Sequence, residues 1–315
     1  MNDSTQGLTP QPPFPNSNSG IQERGRNDLP SPETGEGLGV RSVAFQGERG
    51  AYSEAAALEY FGNSIAPIPC PSFDEVFEQV ESGAVERGIV PVENSLGGSI
   101  HRNYDLFMRH QLHLIGEKIF RVQHCLIGFP GTALSDITLV MSHPQALAQC
   151  EHTITRLGIQ REVVYDTAGA VKMLKESGRR DHAAIASRRA AEVYKMQILE
   201  EGVEDDEANY TRFVVLAREP IVPQSPAKTS IVFTLKNQPG ALFKALSVFA
   251  LRDLDLTKIE SRPLAGTPWD YLFYLDFIGS ATDEAARRAL DHLSEYATTL
   301  RVLGSYSRDT NIGHG

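Results

Sequence analysis

From Val43 onward, short apolar runs alternate with segments whose apolar residues recur at helical spacing. Val43-Ala44-Phe45 predicts a strand, broken at Gly47-Glu48-Arg49-Gly50. Ala51 to Phe61 predicts a helix with an Ala-rich apolar face and Ser53 as its cap. Val76, Phe77 and Val80 follow helical spacing, and Ile89-Val90 is a strand. Ile154 and Leu157 close a helix that Gly158 stops; Ala183 to Ala186 is a buried strand, and a helix follows through Ala190, Ala191 and Val193. Strands alternating with helices argue an α/β fold with mostly parallel sheets. Sheet centres near Ile89 and Val140 imply two lobes with a cleft between them.

The pattern then breaks. Pro220, Pro223 and Pro226 fall within seven residues, which predicts a stiff linker over 220–227. Beyond it the elements are ordered strand, helix, strand, strand, helix, strand: Lys228–Leu235, Ala241–Leu251, Leu254–Arg262, Trp269–Ile278, Glu284–Tyr296 and Leu300–Tyr306. That βαββαβ order makes a four-stranded antiparallel sheet with two helices on one face. Residues 307–315 are left as a tail.

A chain of 315 residues accommodates two such domains. Its net charge of −10 argues against a nucleic-acid surface. Cys70, Cys125 and Cys150 show no Cys-x-x-Cys spacing and read as free thiols of a reducing compartment. No apolar run approaches the ~18–20 residues that span a bilayer. Residues 1–40 hold six Pro and six Gly and almost no apolar periodicity, so we expect a disordered extension. Asp3, Glu23, Asp28, Glu33 and Glu36 disfavour an organellar transit peptide, and the expected location is cytoplasmic.

The chemistry sits where apolar strands end. Thr211-Arg212 precedes Phe213-Val214-Val215-Leu216; Pro91-Val92-Glu93-Asn94-Ser95 follows Ile89-Val90; Ser142-His143-Pro144-Gln145 follows Leu139-Val140-Met141. Polar residues at such ends are how α/β proteins build sites, here for a small polar anion. Asp166-Thr167-Ala168-Gly169 opens a helix, offering either plain capping or backbone N–H groups to an anion. Gly47-Glu48-Arg49-Gly50 lacks the ending of a phosphate loop, and the histidines form no His-Glu-x-x-His pattern, so neither a nucleotide nor a metal is expected.

Those three segments, with Gln145 to Cys150 and the run from Asn94 to Leu106, resemble the prephenate and arogenate dehydratases over about Val43 to Tyr306. The resemblance implies a two-lobed, periplasmic-binding-protein-like dehydratase domain at 41–219. Residues 228–306, with Gly240-Ala241-Leu242-Phe243 and Glu260-Ser261-Arg262-Pro263, resemble an ACT domain of ferredoxin-like fold. It also implies the activity: prephenate loses CO2 and water together and becomes aromatic as phenylpyruvate, with no cofactor. Arogenate, which carries an amine in place of the keto group, is the alternative substrate. By the same resemblance Thr211 assists the departing hydroxyl, and Asn94, Ser95, Ser142, Gln149 and Thr167 line the substrate site. Arg212 either forks onto a carboxylate or points away and braces the sheet. Glu93 would repel an anion and is expected to fix a neighbouring amide or Arg. The family binds phenylalanine as a feedback inhibitor between ACT domains, which assigns Gly240, Ala241, Leu242, Glu260, Ser261 and Arg262 to the effector and implies a homodimer or homotetramer. A non-catalytic amino-acid sensor is the rival from another class.

Overall fold

The structure, a computed structural model, describes residues 41–263 and 271–310. The expectations for 1–40, for the strand start at Trp269 and for the end of the tail lie outside the described residues.

The first sheet has the order β2-β1-β3-β11-β5, built from Ser42–Gln46 (β1), Ala66–Cys70 (β2), Arg87–Asn94 (β3), His113–Arg121 (β5) and Tyr210–Ala217 (β11). A two-residue strand, Gly98–Ser99 (β4), hairpins back onto β3. The second sheet has the order β10-β6-β9-β7-β8, from Cys125–Gly128 (β6), Leu139–Ser142 (β7), Gln160–Val163 (β8), His182–Ala186 (β9) and Gln197–Glu201 (β10). Its centre is β9 rather than the strand at Val140. Both sheets are mixed. β1 to β3 and β7 to β9 run parallel, while β11 pairs antiparallel with β3 and β5, and β6 with β9 and β10. The departure from mostly parallel sheets has a topological cause. The chain leaves the first lobe along β5 into β6 and returns from β10 into β11, so one strand of each sheet, β11 in the first and β6 in the second, enters from the opposite lobe and runs against its neighbours. The result is two lobes, each built on its own mixed sheet.

Helices pack on these sheets: Tyr52–Phe61 (α1), Phe73–Glu81 (α2) and His101–Arg109 (α3) on the first lobe, and Pro144–Ala148 (α4), Glu151–Leu157 (α5), Thr167–Ser177 (α6) and Arg188–Tyr194 (α7) on the second. Ser53 does not cap α1. Ala51 holds that position, and the Glu54 carboxylate instead accepts from Gly50 N at 2.5 Å.

The C-terminal part has the expected ferredoxin-like order: Ala227–Leu235 (β12), Ala241–Ala250 (α8), Leu256–Pro263 (β13), Tyr271–Ile278 (β14), Glu284–Tyr296 (α9) and Ala297–Ser307 (β15). Its sheet is antiparallel, in the order β13-β14-β12-β15. Period-two alternation divides it. Ile231, Phe233, Leu275 and Phe277 pack with α8 and α9, while Val232, Leu272, Tyr274 and Tyr306 join the core of the first lobe. The two parts come close at Gly304 on β15, where an added Cβ would lie 2.0 Å from the Leu114 carbonyl oxygen of β5. Arg301 also crosses, donating to the carbonyls of Phe107, His110 and Leu112 at 2.7–2.9 Å. The proline-rich segment therefore joins two parts that share one core.

Candidate active site

A cleft of about 230 Å3 opens between the lobes, with Thr211 and Asn94 on the first-lobe wall and Gln149, Asp166 and Thr167 on the other. Thr211, the second residue of β11, lies opposite the last residue of β3, Asn94. The Asn94 amide is held in one orientation, because its Oδ1 accepts from the backbone N–H of Leu96 at 3.1 Å and of Gly97 at 2.7 Å. Its Nδ2 must then be the donor, to Thr211 Oγ1 at 2.9 Å and Asn209 Oδ1 at 2.8 Å. With an amide donor against its oxygen, the Thr211 hydroxyl keeps its own proton for a group in the cleft.

The same anchor fixes the rest of a chain. Asn209 Nδ2 donates to Gln149 Oε1 at 3.1 Å, and that oxygen lies 3.0 Å from His124 Nε2, so Nε2 carries the imidazole proton. His124 Nδ1 is left to accept from the Tyr52 hydroxyl at 2.7 Å. Burial lowers the His124 pKa, in keeping with this neutral tautomer. Thus the Asn94 anchor orients Thr211 on one side and, on the other, a relay of Asn209, Gln149, His124 and Tyr52 drawn from separate parts of the sequence. Asn209, His124 and Tyr52 carry no spacing signal that singles them out, and Tyr52 by itself reads equally as packing.

Opposite, Asp166 caps α6 by accepting from Gly169 N, and Thr167 is the first residue of that helix. The N-terminal N–H groups of α6 suit a carboxylate. Among the described residues no cluster of three or more His, Cys, Asp or Glu could hold a metal ion.

Three of the residues expected at the substrate lie elsewhere. Ser95 is exposed and clamps the start of β11, donating to Ala208 O at 2.7 Å and accepting from Tyr210 N at 2.9 Å. Ser142 is fully buried and donates to Ile185 O at 2.6 Å, tying β7 to β9. Arg212 faces away because adjacent strand residues alternate sides. Its guanidinium meets Glu117 at 2.7 Å, Asp276 at 2.5 Å and Tyr306 Oη at 2.8 Å, at the seam with the C-terminal sheet. Lys228 completes the group at 2.7 Å from Glu117. Burial opposes the Arg212 charge, but Asp276, Tyr306 and Glu117 outweigh it and hold the guanidinium ionised.

The expected effector segments divide likewise. Gly240 caps α8 at φ +77°, with Ala241 and a partly exposed Leu242 following, and Ser261 lies on the open face of β13. Glu260 and Arg262 turn inward and are engaged within the chain. Glu260 accepts from Ser99 at 2.7 Å, and Arg262 pairs with Asp105 at 2.9 Å. Glu93, beside Asn94, pairs with Lys258 of β13 at 3.0 Å rather than with an amide or Arg.

A family model described as "Prephenate dehydratase" matches residues 43–221. "Arogenate dehydratase/prephenate dehydratase 2, chloroplastic" of Arabidopsis thaliana is 54% identical over 281 residues, covering 86% of this chain and 74% of the relative. Among solved structures, the Arthrobacter aurescens prephenate dehydratase "in complex with L-Phe" aligns with a TM-score of 0.79 at 31% identity, over 85% of this chain and 90% of that one. GqqA, described as "a novel type of quorum quenching acylases", aligns with a TM-score of 0.79 at 38% identity, over 84% and 97%.

Proposed function

The chain belongs to the prephenate dehydratase family, and we propose that its cleft carries out the decarboxylating dehydration of prephenate, or of its amino counterpart arogenate. The carrying observation is the hydroxyl of Thr211, aimed into the cleft by an amide that two backbone N–H groups hold in place. In the reaction the ring C–carboxylate bond breaks and its electron pair enters the ring. The C–O bond across the ring breaks with it, and hydroxide leaves. Thr211 donates a hydrogen bond to the departing oxygen, which completes its proton count from water or from this donor. The α6 N-terminus opposite supports binding of a carboxylate. Aromatisation supplies the thermodynamic pull, so the site has only to orient and assist. Replacing Thr211 by Ala should cut kcat by ~10²-fold or more with the fold intact, because one donor to the developing oxyanion is lost. Wild-type turnover in a folded Thr211→Ala protein would sink the assignment.

Amide hydrolysis, the activity for which the acylase neighbour is named, fits the cleft less well. It calls for a hydroxyl or thiol paired with a base. Thr211 is paired with an amide donor, Ser142 with a carbonyl, and the Cys150 thiol is pushed far up by burial.

The C-terminal sheet reads as an ACT domain that binds phenylalanine as feedback inhibitor, supported by Gly240 at a helix start beside the exposed Phe243 and by the phenylalanine complex of the Arthrobacter relative. Glu260 and Arg262 then act as links to the dehydratase lobe rather than as direct ligands. Exposed Phe243, Leu251 and Ile259 favour a homodimer or homotetramer through this face. The chloroplast named for the Arabidopsis relative favours a plastid over the cytoplasm.

A further inference from the structure

The geometry points to Asp166 as the residue that selects a substrate carrying an ammonium on its side chain over the 2-oxo counterpart. This rests on the dehydratase reading above and adds a determinant to it.

Asp166 is a carboxylate on the wall of a cleft that takes a doubly carboxylated ring. Among the described residues it has no ion-pair partner. Around it, Glu48 has the same sign and is itself bound by Lys172 at 3.1 Å; Tyr165 donates to Glu48, and the Asp166 charge is eased by the backbone N–H groups of Gly169 and Ala168 and, less, by His143. A carboxylate so placed repels prephenate, whose only charges are negative. Arogenate brings a cation on the carbon next to its side-chain carboxylate, and an Asp166–ammonium contact turns that repulsion into attraction.

The position fits the substrate's own shape. The leaving hydroxyl and the side chain are para on the ring. Thr211 stands on β11 of the first lobe and Asp166 at the start of α6 in the second. A hydroxyl held at Thr211 therefore sends the side chain across the cleft to α6. There the first N–H groups of the helix receive its carboxylate, and Asp166 receives its amine.

Capping does not explain the charge. The cap uses one oxygen, accepting from Gly169 N, and Asn or Ser performs that task as well. Burial raises the Asp166 carboxyl pKa and Glu48 raises it further, so the ionised group is held at a cost that a bound ammonium relieves.

The test is kcat/KM for arogenate and for prephenate, measured side by side in wild type, Asp166→Asn and Asp166→Ser, with melting temperatures. Both variants keep a cap. We expect the ratio of the arogenate to the prephenate value to fall ~10-fold or more, the size expected of one partly buried charge pair. An unchanged ratio, or equal losses on both substrates, would overturn the assignment and leave Asp166 a helix cap. Wild-type enzyme inactive on both rings would instead defeat the dehydratase reading on which it rests.

Discussion

Replacing Arg212 by Ala separates a brace from a ligand. The side chain lies between the fully buried carboxylates of Glu117 and Asp276, with Lys228 on Glu117 and Tyr306 and Ser230 around Asp276. Truncation leaves Asp276 with no cation among these contacts, and breaking such a buried pair costs on the order of 3–5 kcal/mol. At roughly 2–4 °C per kcal/mol for a protein of this size, melting should fall by roughly 6–20 °C. A second variant isolates the cause. Arg212→Met combined with Asp276→Asn removes both charges, and it should recover much of the loss, because no buried carboxylate is then uncompensated. Differential scanning fluorimetry reads the stabilities, and initial rates on prephenate and arogenate read KM. A brace predicts a large thermal loss, with KM close to wild type in whatever fraction stays folded at low temperature. A folded Arg212→Ala protein of wild-type melting temperature, with KM raised ~10-fold or more, would refute this reasoning and restore Arg212 to the substrate.

Gly304→Ala should lower the melting temperature, since the new Cβ would meet the Leu114 carbonyl at 2.0 Å and backbone cannot yield cheaply; overpacking of this kind costs ~1–3 kcal/mol. Phenylalanine should inhibit the wild-type enzyme, and Gly240→Val should weaken that inhibition ~10-fold or more, because a β-branched residue at φ +77° strains the helix start. Equal inhibition of the two proteins in a rate titration would put the effector in the catalytic cleft.

Strong periodicity carried the elements into view, and local chemistry carried little beyond them. Glu284–Tyr296 and the βαββαβ order are legible because alternating strands and amphipathic helices each bury one face. The direction of the strands in the two lobes is not, because β6 and β11 acquire it by crossing from one lobe to the other. Thr211 and Asn94 were findable as polar strand ends, yet Ser95 and Ser142 fit the same description and serve the backbone instead. Which face a strand-end residue takes depends on register, and a bulge between Arg212 and Phe213 shifts that register just past the site. Asn209, His124 and Tyr52 reach Thr211 only through contacts between residues 25 to 117 positions apart, which no local pattern announces.

The placement of β13 bears on how a C-terminal effector would reach Thr211. Lys258, Glu260 and Arg262 share the inward face of that strand and contact Glu93, Ser99 and Asp105 in turn. Those three residues bracket Asn94, the amide that orients the Thr211 hydroxyl. A tethered domain would need a lever to act across a linker. Here the linker is bypassed, because Val232, Leu272, Tyr274 and Tyr306 are packed into the core of the first lobe. A shift of β13 by a fraction of an ångström would therefore bear directly on the Glu93–Ser99 turn and on the N–H groups of Leu96 and Gly97. Loosening those two donors frees the Asn94 amide to rotate, and Thr211 then loses the partner that turns its proton toward the cleft. Coupling of this kind alters kcat before it alters the affinity for substrate, since the α6 side of the cleft lies on the other lobe.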